Sequence, residues 1–265
     1  MTKFAHRFLF FVSVVQLVCA LAFFLQFPAA INLWPFEGTT PLTFIFISSI
    51  FAAAGTTTLW TVISRNYGAL AGIGLDYITI LTPVSILSFK LGIAGGKSQV
   101  INYGIACVIG ALFGLGLFLW SVRIPLAQKL PMPRPVWWSF IIFIIALLIV
   151  SSRLILKVPN TIPWKITPDL SVIIGWMFLG AAVYFAYGLL RPSWSNSAGQ
   201  LVGFLAYDIV LIVPFLTRLP TTAPEFRYGL IIYTIVVTYS GLLAIYYLFL
   251  HKPTREQTWM RLRIK

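Results

Sequence analysis

Eight apolar runs, each about 20 residues long, constrain this chain more than anything else in it. They fall at 8–27, 43–63, 67–89, 100–120, 136–156, 170–190, 198–216 and 228–250. A helix of that length crosses a hydrocarbon core of about 30 Å with every backbone hydrogen bond satisfied internally. The runs are continuous and do not alternate, which excludes the strands of a membrane β-barrel. Only 9% of the 265 residues are charged, against about 25% in a soluble chain. The expected fold is therefore all-α: a polytopic membrane protein of about eight transmembrane helices.

The formal charge of +13 is read in that setting. Its Lys and Arg residues are scattered at span ends and form no patch for nucleic acid. Such residues set orientation and meet anionic lipid headgroups. With the N-terminus in the cytoplasm, 12 of the 19 basic residues lie inside and 7 outside. Both termini are thus expected inside, in the cell membrane. The segment 8–27 exceeds the 7–15 apolar residues typical of a signal peptide, so it reads as a retained span. Trp34, Trp60, Trp120, Trp137, Trp138 and Trp164 all fall beside span ends, where an amphipathic ring suits the headgroup region.

The segment 66–89 has an echo in the second half. Gly68, Gly72 and Pro83 recur as Gly199, Gly203 and Pro214, each 131 positions later. The pair Asp76-Tyr77 recurs in swapped order as Tyr207-Asp208. Thr40-Pro41 opens the second span and Thr167-Pro168 opens the sixth, each a few residues after a Trp/Pro pair. Thr suits an N-cap and Pro the first helical turn. These echoes predict two parallel four-helix repeats, 1–122 and 136–250, related by a pseudo-twofold axis along the membrane normal. A Pro-rich cytoplasmic linker, 123–135, joins them, and a basic tail, 251–265, is expected to lie on the inner leaflet.

Six acidic residues are present, and four of them lie in loops or the tail. Asp76 and Asp208 are the exceptions, each roughly 10 residues and so about 15 Å into its span. A carboxylate at that depth costs about 2.5–3.5 kcal/mol on insertion scales. The cost calls for a hydrogen-bonding partner, a water-filled cavity or protonation. Asp76, Asp208, Tyr77, Tyr207, Thr79 and Thr82 are therefore the candidate solute- or ion-binding residues. Pro83 and Pro214 are candidate kinks that free backbone carbonyls on the same helices. The alternative for each Asp is structural, a hydrogen bond to a neighbouring Tyr or Thr that fixes helix register. Gly68, Gly72, Gly199 and Gly203 have the spacing of close helix packing. Glu37 and Asp169, with Lys165 and Arg227, are candidates for an outer vestibule.

Several chemistries are absent. No span contains a histidine, so haem ligation inside the membrane is not expected. No Cys/His cluster has zinc spacing, and Cys19 and Cys107, both inside spans, imply no disulfide. No HExxH, GxSxG or Walker motif occurs. Neither cofactor nor metal is expected, and an enzyme is the weaker expectation. The leading expectation is a permease-like protein that moves a small solute, coupled to protons or cations, at the repeat interface. The second is a membrane scaffold or accessory subunit of a larger complex. Expected partners are the bilayer and its anionic headgroups, a small solute or the proton, and a membrane-protein partner or a second copy, the Gly68/Gly72 and Gly199/Gly203 pairs being the alternative dimer contact.

Overall fold

The computed structural model describes residues 3–36, 40–126 and 130–259. Among these, eight helices are long and apolar enough to cross a membrane. They are α1 (Lys3–Phe24), α3 (Pro41–Ile63), α4 (Tyr67–Gly95, its first turn 3₁₀), α5 (Ser98–Ser121), α6 (Arg134–Ile155), α7 (Pro168–Leu190), α8 (Trp194–Arg218) and α9 (Pro224–Leu250). Two short helices were not expected: α2 (Pro28–Leu33) and α10 (Lys252–Trp259). The chain is thus an all-α polytopic membrane protein. Lys3 and α10 emerge on one side, called here the terminal side; the other is the far side.

Local chemistry sets the helix ends. Pro occupies the first turn of both α3 and α7. The Thr167 side chain accepts a hydrogen bond from Leu170 N at 3.3 Å, as an N-cap does. Thr40 makes no such bond to the backbone of α3, so only one of the two Thr-Pro signatures caps as expected. α4 ends at Gly96, whose φ of +62° is the left-handed C-cap that glycine favours. Pro83 and Pro214 lie inside α4 and α8, and both helices run on through them.

Close backbone packing joins α1 to α3, α4 to α5, α6 to α7 and α8 to α9. It also joins α3 to α8 and α4 to α7. Two connected groups result: α1, α3, α8 and α9 in one, and α4, α5, α6 and α7 in the other. Between the groups, backbones approach only sparsely, as in the pairs α3–α4 and α7–α8. Each group takes two helices from each half of the sequence. Advancing every span by four positions in the membrane order exchanges the groups and leaves the pairings unchanged.

Glycine makes the tightest contacts possible. A Cβ on Gly74 would lie 2.6 Å from Gly114 O and 2.7 Å from Phe118 N, so α4 and α5 touch backbone to backbone. Gly72 meets the Tyr184 ring of α7, and Gly203 meets Thr57 of α3. Thr57 stands 17 residues after Thr40, and Tyr184 stands 17 after Thr167. The two contacts are therefore equivalent, one in each group. Gly199 packs on Trp60, and Gly68 on the carbonyls of Ile124 and Pro125.

The tryptophans divide in a way their sequence positions do not show. Trp138 is exposed, but Trp34, Trp60 and Trp164 are buried inside the protein. Trp34 packs edge-on against Phe36 and Tyr103, each with centroids 5.6 Å away. Trp194 is wholly buried, and its Nε1 donates to Thr254 O at 3.1 Å and Thr258 Oγ1 at 3.0 Å. The start of the basic tail is thereby docked on the terminal end of α8. Residues 260–265 of that tail lie outside the described residues, as do Glu37 and Lys129.

Candidate functional site

One cavity of about 350 Å³ lies at the boundary between the two helix groups. α3, α8 and α9 line it from one group, and α4, α6 and α7 from the other. Its far end reaches Thr161 and Pro163, in the turn between α6 and α7. Towards the terminal side it ends at Gln200 and Tyr184. Such a volume accommodates a small organic molecule. Most of the wall is aliphatic or aromatic, as expected for helices that elsewhere face lipid.

Asp76 and Asp208 both line this cavity, one from each group. α4 carries Asp76 against α7, where a Cβ on Gly180 would come within 2.5 Å of Asp76 Oδ1. That glycine gives the carboxylate its room. α8 carries Asp208 against α9, beside Gly241. No Lys, Arg or His lines the cavity, so no positive side chain in its wall faces the two acids.

The two acids have different surroundings. Asp208 is buried, and Ser240 Oγ lies 2.9 Å from its Oδ1 and 2.8 Å from its Oδ2. The same hydroxyl lies 2.9 Å from Val236 O. It can donate to an ionised Asp208, or accept from a protonated one while donating to that carbonyl. Asp76 is half-buried and accepts no hydrogen bond among the described residues. Asp208 thus has one hydroxyl donor beside it and Asp76 none, so Asp76 has the larger acceptor capacity left for the cavity.

The swapped order of Asp and Tyr is explained by direction. Asp76 and Tyr207 occupy equivalent positions and both line the cavity. Tyr207 is hydrogen-bonded there to the hydroxyl of Tyr233. Tyr77 points the other way, on to Gly114, and its hydroxyl accepts from Gln16 Nε2 at 2.5 Å. Its counterpart Asp208 packs beside Gly241. A large ring thus fills the space between α1 and α5, whereas a small acid borders the open space by α9.

Thr79 and Thr82 do not line the cavity. The Thr79 hydroxyl donates to Leu75 O at 2.8 Å within its own helix, and Thr82 is exposed. Asp169 pairs with Lys157 at 3.2 Å in an exposed ion pair. Six polar residues absent from the sequence expectation line the cavity: Thr57, Thr161, Tyr184, Gln200, Tyr233 and Ser240. Gln200 had a visible signal, because Ser193, Ser195, Asn196, Ser197 and Gln200 form a polar cluster entering an otherwise apolar span. Ser240 had none, being a lone serine 32 residues from its acid.

Comparison with protein-family models, with curated proteins and with solved structures finds no match to this chain.

Proposed function

We propose that this protein is a permease for a small organic cation, with Asp76 as the primary ligand of the positive charge. The observation that carries the proposal is that Asp76 and Asp208 line one cavity with no basic side chain in its wall. Two carboxylates in an apolar enclosure favour a cation strongly, because the surrounding low dielectric strengthens the pairing. Aromatic faces from Tyr184, Phe204 and Tyr207 add cation–π attraction. Exchange of a bound cation for a proton on either Asp gives the coupling its chemistry.

The duplicated plan of the sequence supports the same reading. Helix pairings that survive a four-span shift are what two parallel four-helix repeats produce. The repeats are interleaved, so that the two packed groups, and not the two sequence halves, are the bodies that rock. The cavity lies between these bodies, where alternating access needs it. The distribution of Lys and Arg favours the cell membrane with both ends cytoplasmic.

Proteoliposomes holding an inside-negative potential test the proposal through uptake of radiolabelled tetraethylammonium. Uptake by the wild type, lost in Asp76→Asn, supports it. No uptake in either form, with partner chains recovered in stoichiometric amounts from mild detergent, replaces it with the scaffold reading.

A further inference from the structure

A buried polar seam continues from the terminal end of the cavity. It runs between α7 and α8, helices that belong to different groups. Gln200, wholly buried, donates from Nε2 to Tyr184 O at 2.5 Å. One turn nearer the surface, Asn196 is 1% exposed. Its Nδ2 lies 3.4 Å from Tyr187 O and 3.2 Å from Arg191 O. Positions 196 and 200 share one face of α8, being four residues apart. Gly188 opens the space for the Gln200 amide, since a Cβ there would lie 2.9 Å from Nε2.

Both amides are only half satisfied. Gln200 Oε1 and Asn196 Oδ1 are buried and accept no hydrogen bond from the protein among the described residues. An orphaned buried acceptor costs about 1–3 kcal/mol, and an apolar side chain would pack this seam without that penalty. Pure packing therefore does not account for them. From the level of Asp76, at Gly180, to Arg191 the seam covers 11 residues of α7, or about 16 Å of helix rise. It reaches from mid-membrane to the terminal surface. α7 and α8 approach sparsely along their length and are tethered at the terminal surface by residues 191–193, so the seam opens by the two helices splaying about that turn.

We infer that this seam is the terminal-side half of the conduction path, shut in this structure by the Gln200 and Asn196 amides. When the two groups rock apart on that side, the orphaned oxygens become hydrated and Asp76 gains access to the terminal compartment. The inference rests on the transport reading, and adds to it the residues that line the second half of the route.

Cysteine accessibility tests it independently of any solute. Asn196→Cys and Gln200→Cys are introduced separately on a background in which Cys19 and Cys107 are alanine, and the full chain is reconstituted in liposomes. A membrane-impermeant methanethiosulfonate is added from each side in turn. Arg65→Cys marks the terminal side, Asn160→Cys the far side, and Ser48→Cys, buried in α3, marks a closed interior. Asn196→Cys is expected to react from the terminal side at least about tenfold faster than Ser48→Cys, through an opening that a packed core does not make. Gln200→Cys reports the same one turn deeper, so a failure of either variant to fold leaves the other to decide. If both fold and neither reacts from the terminal side while Arg65→Cys does, the seam is a fixed core and the inference is overturned. Failure of the transport reading itself appears elsewhere, as absent uptake by the wild type.

Discussion

The Ser240 hydroxyl stands 2.9 and 2.8 Å from the two carboxylate oxygens of Asp208, whereas no donor in the described chain reaches Asp76. Two acids that line one cavity from opposite helix groups thus have unequal surroundings. Asp208 is held by its neighbour, and Asp76 is left with acceptors to offer. The division predicts opposite responses to mutation.

Removing the donor should injure Asp208. In Ser240→Ala the buried carboxylate loses its one side-chain partner among the described residues, which costs about 1–3 kcal/mol. Asp208→Asn keeps the shape and can still bond Ser240, so it should cost less. Thermal unfolding in detergent measures both. Equal melting temperatures for Ser240→Ala and wild type would show that the bond contributes nothing.

Glycines within one helix should differ sharply. Gly114→Ala would place a Cβ 2.8 Å from Tyr77 Cβ and 3.0 Å from Gly74 O, where neither atom can yield. Overpacking of this kind costs about 1–3 kcal/mol. Gly116, on the same α5, has nothing within 4 Å of its would-be Cβ. Gly116→Ala should be neutral or stabilise by up to about 1 kcal/mol, since alanine is the better helix former. A melting-temperature comparison of the two variants checks the packing of α4 on α5 directly.

Trp194 ties the tail helix to the bundle. Trp194→Phe keeps the ring but removes the Nε1 donor to Thr254 O and Thr258 Oγ1. Hydrogen exchange across residues 252–259 should accelerate by about tenfold, the equivalent of one net hydrogen bond of about 1–1.5 kcal/mol. Unchanged exchange there would mean that α10 is held by its other contacts, such as Trp259 Nε1 to Leu248 O at 2.8 Å.

The helices were legible in the sequence because spanning a bilayer is a one-dimensional constraint of length and apolarity. α8 is instructive, since it begins at Trp194, four residues before its apolar run. Polar Ser195, Asn196 and Ser197 begin the helix because the protein, not lipid, surrounds them. The depth of Asp76 and Asp208 was legible for the same reason. Their meeting in one cavity was not, because it depends on α4 packing against α7 and α8 against α3 and α9. Thr79 illustrates the limit: helical spacing placed it near the face of Asp76, but its hydroxyl bonds back to Leu75 O instead of reaching the cavity. The mixing of helices from the two sequence halves in each group was equally hidden, since an echo in sequence does not specify which helices pack together.

The central claim is that Asp76 serves a bound cation and not the fold. Asp76→Asn changes a carboxylate that accepts no hydrogen bond, so the melting temperature should stay within the range of a neutral substitution, about 0.5 kcal/mol. Uptake of radiolabelled tetraethylammonium into proteoliposomes, measured on the same preparations, should fall at least about tenfold, equivalent to about 1.4 kcal/mol of lost cation stabilisation. A variant that melts like the wild type and transports like it would contradict the account.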